Sequence, residues 1–397
     1  MSFLVRNFRW LVAATILTFL SSFGQTFFIS LFGKEIRGEF GLTDGQFGSL
    51  YMFATLVSAV ALVFVGKVVD HWSLSRSIAL VTALLAVTCL LMSFSRGLVL
   101  LWVCLFLLRL FGQGMMTHTA QTAVGKWFGR DRGTAISLTS LGHNLGEASL
   151  PLFFVASFDQ SNWRWAWTWS GLLMLAVLPI CFWLASKDRD AESGGAKKSF
   201  QSVRDWTRAE VIRDRWFWIS AVGLLAPAFI TTAIYFHHEH LEEVKGWEAG
   251  SFAGGFLVLS VTTIVTKLIA GWTIDRIGAA RLMWSSLIPL GASCLVLSLG
   301  KPEWVIYVAM FLMAMSMGLA NSVFGTLWPE VYGTRHLGAI RAVAFSGVVF
   351  ASACGTGVTG WLLDAGVGFE AQLQLMTIWC GVGAVALVIV ARAFVGR

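Results

Sequence analysis

The sequence predicts an all-α membrane protein with about twelve transmembrane helices in two pseudo-symmetric six-helix bundles. Three observations predict it. Hydrophobic residues make up 56% of the 397 and charged residues only 13%, against roughly 25% charged in soluble domains. Apolar stretches of about 20 residues recur along the chain, each long enough to cross roughly 30 Å of hydrocarbon as a helix. Two short segments also echo each other. Gly66-Lys67-Val68-Val69-Asp70 runs on to Arg76, and Gly271-Trp272-Thr273-Ile274-Asp275-Arg276 runs on to Arg281, with matching positions 205 residues apart. Chains duplicated in this way build their site at the interface of the repeats, near the middle of the membrane.

The spans read 10–33, 46–65, 75–95, 98–122, 134–157, 164–185, 215–236, 249–270, 282–300, 303–327, 338–361 and 372–393. They group into a first bundle at 1–186, a linker at 187–214 and a second bundle at 215–397. The first run follows Arg6 and Arg9, is too long for a signal peptide and lacks a small-residue cleavage site, so it is a span. Within it, Ser21-Ser22-Phe23-Gly24 before Gln25 eases close packing or local unwinding. The fourth and fifth spans carry Arg109 and Glu147 near their middles. The sixth opens on Trp163, Trp165, Trp167 and Trp169, which read as interfacial anchors. In the linker, Gly194-Gly195 precedes a possible surface helix, with Ser202 and Asp205 placed for a capping box. His237-His238-Glu239-His240 closes the seventh span, followed by Glu242, Glu243 and Glu248. Two readings stay open there, a divalent metal site and a solvated acidic vestibule; the spacing matches no strong zinc pattern. Gly355-Thr356-Gly357 lies inside a span, so it is no phosphate cradle. The six cysteines, Cys89, Cys104, Cys181, Cys294, Cys354 and Cys380, all fall within spans and read as small core residues.

Lysine and arginine placement sets the orientation. With the N-terminus inside, twenty-one of the 29 basic residues fall on the cytoplasmic side and six on the outer side, leaving Arg109 and Lys267 inside spans. This bias puts both termini and both echoed segments in the cytoplasm, as expected of a multi-pass protein of the inner membrane. The net charge of +7 then reflects topology and anionic lipid, with no nucleic-acid partner.

The echoed segments resemble the loop of the major facilitator superfamily, G-x-x-x-D-R-x-G-R-R. Gly271, Asp275, Arg276, Gly278 and Arg281 fit it, while the first copy keeps Gly66, Asp70 and Arg76 but has His71 and Ser73 in place of Arg and Gly. Arg109-Leu110-Phe111-Gly112-Gln113-Gly114 resembles a second pattern of that superfamily with its glycines shifted. The resemblance implies gating contacts, not substrate contacts, for Gly66, Asp70, Arg76, Gly271, Asp275, Arg276 and Arg281. A narrower likeness, to the oxalate/formate and monocarboxylate transporter branch, rests on two segments. One is Lys126-Trp127-Phe128-Gly129-Arg130-Asp131-Arg132-Gly133-Thr134-Ala135 with Gly142 and Gly146, and the other is Arg213-Asp214-Arg215-Trp216-Phe217-Trp218. That branch implies small carboxylates as substrates, moved with a proton or exchanged.

Chemistry is sought among polar groups at membrane depth, where each ionisable residue costs about 2.5–3.5 kcal/mol on insertion scales and needs a partner or a wet cavity. Arg109 and Glu147 lie at similar depth on spans running in opposite directions. They are expected either to form a static pair or to switch, with the substrate anion taking Arg109 and a proton taking Glu147. Lys267 is either a third site group or a residue that snorkels to the headgroups. Gln25, Gln113, His118, Asn144, Tyr235 and Asn321 are further candidates for substrate contact, and His143 for proton coupling. No nucleophile triad, nucleotide loop or metal cluster is evident, so neither an enzyme nor an ATP-driven pump is expected, and no cofactor. A membrane receptor on the same fold would carry a large soluble signalling domain, and the sequence shows none. The expected function is proton-coupled movement of a small carboxylate anion by alternating access. Its partners are the solute, protons and membrane lipid, and it acts as a monomer. The rival is a proton-coupled exporter of drugs or metabolites.

Overall fold

A computed structural model describes residues 2–66, 72–128, 132–157, 162–186, 204–333 and 335–395. Among the described residues every regular element is helical, as expected for a chain that must satisfy its backbone inside hydrocarbon. Ten helices are long and apolar enough to cross a membrane, and the bent pair Asn7–Gly24 and Thr26–Phe40 makes an eleventh. The remaining expected span is the helix Arg132–Ser157, 26 residues long. It is not in the apolar set because it carries His143, Asn144 and Glu147 together with several hydroxyls.

The chain divides into two compact units, residues 1–42 with 50–197 and residues 43–49 with 198–397. Each unit pairs its helices in the same way. In the first, Leu74–Ser93 packs along Trp163–Ala185, and Ser2–Leu20 along Arg132–Ser157. In the second, Leu287–Leu299 packs along Phe369–Val395, and Ala226–Phe236 along Leu337–Asp364. The third span thus meets the sixth and the first meets the fifth, in both halves of the sequence. Small residues make these approaches possible. A side chain on Gly142 would run into the Thr15 carbonyl, and one on Gly146 would stand 2.9 Å from Ser22 Cβ. An aromatic cluster fills the first unit, with Phe28 edge-on to Phe23, Phe154 and Trp167 at centroid distances of 4.9, 5.0 and 5.2 Å.

Three local expectations are corrected. The second echoed segment is not a loop from Gly271. The helix Phe252–Ile277 runs through it and ends only at Gly278, whose φ of +87° suits glycine. Nothing between Gly271 and Asp275 breaks a helix, so it continues. The linker helix is capped by Thr207 and Glu210, not by Ser202 and Asp205. Thr207 stands immediately before the helix Arg208–Arg213 with Glu210 three residues on, which is the capping-box spacing. Asp205 instead accepts from the Arg335 backbone N–H at 3.1 Å, and Ser202 lies outside the described residues. Finally, the seventh span is two helices, Arg215–Leu224 and Ala226–Phe236, joined at Leu225 with Pro227 in the first turn of the second.

Candidate functional site

The site in the first unit begins at a break in the first span. Ser-Ser-Phe-Gly tightens into a 3₁₀ turn at Ser21–Gly24, and Gln25 is extended, with φ −86° and ψ 155°. The two halves of the span are bent by 48°. Serine and glycine are poor helix formers, so the break is local chemistry. It releases backbone groups that a straight helix would satisfy internally. The fourth span lies directly against it. A side chain on Gly24 would stand 2.6 Å from Gly112 Cα, so only glycine allows this approach. Here the fourth span is itself irregular, a π-helical segment over Leu108–Met116. Such segments recur at functional sites because they re-aim side chains.

Arg109 projects from that segment and is 2% exposed. Its Nη1 donates to the Gly24 carbonyl at 3.2 Å and to Thr26 Oγ1 at 3.5 Å. The Tyr51 ring lies 5.2 Å from its Cζ, and Tyr51 Oη and Thr26 Oγ1 share a hydrogen bond of 2.8 Å. Its Nε has no hydrogen-bond partner. All these partners are neutral, and no carboxylate of the described residues is among them. A buried cation held only by a carbonyl, a hydroxyl and a ring leaves most of its desolvation uncompensated. Chemically, a carboxylate bridging Nε and a terminal nitrogen would meet the fork of a guanidinium.

Glu147 is also buried, 3% exposed, on Arg132–Ser157. It follows Gly146, which packs on Ser22 beside the break. Arg109 is nevertheless held by Gly24, Thr26 and Tyr51, not by Glu147. Of the other candidates in this unit, Gln25 forms the break and Gln113 lies in the π-helical segment, both half-buried. Asn144 is buried with its Nδ2 unpartnered. His143 lies edge-on to Phe27 at 6.1 Å. His118 is half-buried and lies beside Gly66, where an added Cβ would stand 3.5 Å from its Nε2.

Tyr235, Lys267 and Asn321 belong to the second unit. Tyr235 is buried, with its hydroxyl 3.5 Å from Met317 Sδ and its ring edge-on to Phe256. Lys267 is half-buried on Phe252–Ile277, and Asn321 is exposed on Val305–Tyr332.

The residues expected to gate fall in different settings. Gly66 ends its helix, bonded to the Leu62 carbonyl at 2.8 Å, and Asp70 lies outside the described residues. Arg76, Asp275, Arg276 and Arg281 are exposed, and Arg276 Cζ stacks 3.7 Å over Trp272. Sequence reasoning missed Glu330, whose carboxylate accepts from Ala279 and Ala280 N–H at 2.7 and 3.2 Å, seating the segment after Gly278.

In the histidine cluster the buried imidazoles turn to the backbone, while Glu243 and Glu248 are exposed. His237 Nε2 meets the Thr356 carbonyl at 3.0 Å, and His238 Nδ1 the Tyr235 carbonyl at 2.9 Å. Asp44 faces His237 and His240 at 3.7 and 3.4 Å. Glu242 accepts from Gly250 and Phe252 N–H at 3.1 and 3.0 Å, a helix cap. No group of three or more metal-ligating side chains occurs among the described residues. Tyr51, Thr26 and Gly24 were also missed as Arg109 partners. Tyr51 had one sequence signal, since it is one of only four tyrosines and sits in an apolar span.

Comparison with known proteins gives a consistent assignment. The family model of the Major Facilitator Superfamily matches residues 14–266. An MFS-type transporter, pytF, from Aspergillus terreus is 25% identical over 264 residues, covering 65% of this chain and 84% of that protein. An uncharacterized MFS-type transporter, YcxA, from Bacillus subtilis is 22% identical over 351 residues, covering 85% and 83%. Among solved structures, a bacterial homologue of the human lysosomal transporter Spinster, inward-facing and unoccupied, superposes with a TM-score of 0.71 at 15% identity, covering 98% of this chain and 97% of its own. The nucleoside transporter NupG gives 0.71 at 14% identity, covering 98% and 99%. At these identities the structures speak to the fold alone.

Proposed function

Since the chain belongs to the Major Facilitator Superfamily and is a multi-pass secondary transporter, we propose that its cargo is a small organic anion bound by Arg109 and moved together with a proton. The observation that carries this reading is the buried guanidinium with neutral partners and an unpartnered Nε. A substrate carboxylate spans Nε and a terminal nitrogen, while Gly24 and Thr26 hold the opposite edge and Tyr51 supports the face. Asn144, with its unpartnered amide nitrogen, offers a further donor. The carboxylate chemistry agrees with the sequence likeness to the oxalate/formate and monocarboxylate branch.

Proton coupling is assigned to Glu147, with His143 beside it in the sequence. Coupling in this reading does not need Glu147 to be displaced from Arg109, whose contacts are Gly24, Thr26 and Tyr51. Coupling acts through the charge count of the unit. An arriving anion adds one negative charge near the break, and protonating Glu147 removes one, so the two events favour each other. The gating role of Asp70, Arg76, Asp275, Arg276 and Arg281 remains part of the proposal, as does an inner-membrane location with cytoplasmic termini, which the lysine and arginine bias supports.

A thermal-stabilisation screen of the purified protein tests the substrate class. Small carboxylates are expected to raise the midpoint of the wild type and leave Arg109→Gln unmoved. Stabilisation by cations or neutral drugs, with carboxylates inert, favours the rival exporter reading instead.

A further inference from the structure

The short helix Arg208–Arg213 stands at the end of two membrane-length spans of the second unit. The span Arg215–Phe236 begins directly after Asp214. On the other side, the Trp206 N–H donates to the carbonyl of Tyr332, the last residue of the span Val305–Tyr332, at 3.0 Å, and the two rings meet edge-on at 5.5 Å. Helices of that length end at the headgroups, so the short helix is held at headgroup level. All three acids of this segment are engaged by the protein itself. Asp205 accepts from the Arg335 N–H at 3.1 Å. Glu210 accepts from Arg204 at 2.6 Å and from the Thr207 N–H at 2.8 Å. Asp214 accepts from the Tyr332 hydroxyl and the Trp216 N–H, both at 3.0 Å. The arginines do the opposite. Arg208, Arg213 and Arg215 are exposed, and no carboxylate of the described residues pairs with them. Val211 seats the helix and leaves Ile212 39% exposed beside Trp218, 53% exposed, whose indole N–H donates to the Ile212 carbonyl at 2.7 Å. Three outward cations thus border a fixed apolar edge.

We propose that this edge is a docking surface for anionic phospholipid, with Arg208, Arg213 and Arg215 on headgroup phosphates and Ile212 and Trp218 at the acyl boundary. Charge complementarity selects the occupant. Two oxygens of a phosphate diester match the fork of a guanidinium. Arginines at an anionic leaflet gain from its surface potential, and tryptophan favours the interface between headgroup and chain. The preceding part of the linker is not complementary, because residues 187–203 carry four basic and three acidic side chains. Docking fixes where the first span of the second unit enters the bilayer. The orientation proposed above turns this surface to the cytoplasmic leaflet, the anionic one. It uses no residue of the Arg109 site, so it stands or falls separately from the carboxylate reading.

The test places a bimane fluorophore on Ala209→Cys of the full-length protein in nanodiscs. Ala209 is exposed, whereas five native cysteines are buried and Cys354 is half-buried, so labelling is selective. The probes are doxyl-labelled phosphatidylglycerol and doxyl-labelled phosphatidylcholine, whose nitroxides quench bimane at close range. At equal mole fraction the anionic lipid should be enriched beside the label by at least about fivefold, the effect of one arginine near an anionic surface. Arg208→Gln/Arg213→Gln/Arg215→Gln should remove the preference, and the matching triple lysine replacement should keep most of it. Unchanged thermal midpoints in phosphatidylcholine show that both variants fold. Arg392→Gln, another exposed arginine of the same unit, should behave like the wild type. Equal quenching by the two lipids in the wild type overturns the proposal; a preference that then appears in Asp188→Asn/Asp190→Asn/Glu192→Asn gives the surface to the preceding linker. A preference that survives the triple glutamine variant, or that Arg392→Gln removes equally, reduces the effect to general surface charge and also overturns it. Displacement of the lipid by inorganic phosphate, beyond that caused by sodium chloride of equal ionic strength, gives the site to a free anion instead.

Discussion

Replacing Arg109 with glutamine separates a charge held for a ligand from a charge held for the fold. The guanidinium is 2% exposed, with two hydrogen bonds to neutral acceptors at 3.2 and 3.5 Å, and Tyr51 beneath it at 5.2 Å. Burying an ion costs several kcal/mol after relaxation. Hydrogen bonds to a charged group return about 1.5–3 kcal/mol each, less at 3.5 Å, and the ring up to about 2 kcal/mol. These contributions nearly cancel, so the unliganded variant is expected to melt at or above the wild-type temperature. Ligand binding behaves oppositely. A carboxylate on Nε and a terminal nitrogen loses two charge-assisted bonds, at least about 3 kcal/mol, or more than a hundredfold in affinity. Thermal unfolding without ligand and binding of the carboxylate found in the stabilisation screen give the two numbers. A variant that melts well below the wild type while binding the anion normally would show that Arg109 is structural.

Tyr51→Phe keeps the ring under Arg109 but loses the 2.8 Å bond to Thr26; stability should fall by about 0.5–1.5 kcal/mol and uptake by less than tenfold. Glu147→Gln should abolish accumulation driven by a pH gradient yet retain downhill exchange, read in paired uptake and exchange assays. Asp275→Asn should slow transport more than it weakens binding, and equal loss of both would make Asp275 a ligand. Arg164 holds the Glu39 carboxyl below its ordinary value of 4.5, with Trp163 adding a further hydrogen bond. Because the folded value is lowered, the contribution is complete above the unfolded value near 4.5 and is lost as pH falls through the folded value. Glu39 is 43% exposed, so Glu39→Gln should cost less than about 1 kcal/mol at pH 7. The gap between wild type and variant should close in strong acid.

The spans were legible because hydrocarbon imposes length and apolarity directly on sequence. The break in the first span was legible too, since Ser21-Ser22-Phe23-Gly24 states its own reluctance to be helical. What Arg109 touches was not. Depth along two spans says that Arg109 and Glu147 share a level, but it does not fix how each helix is rotated. The π-helical segment turns Arg109 onto the Gly24 carbonyl, which only the break makes available. Glu330 escaped notice for a similar reason, because its partners, the Ala279 and Ala280 amides, lie about fifty residues away in sequence. At the histidine run the sequence left a metal site and a vestibule open, because side-chain direction there is set by tertiary contacts: His237 and His238 turn to separate carbonyls.

The central claim is that an organic anion bound at Arg109 crosses the membrane together with a proton. Uptake of a radiolabelled carboxylate into proteoliposomes, with and without an inwardly directed proton gradient, tests it most directly. The account predicts accumulation above equilibrium only with the gradient, lost in Glu147→Gln, and no specific uptake by Arg109→Gln. Gradient-driven accumulation by Arg109→Gln at the wild-type rate would contradict it.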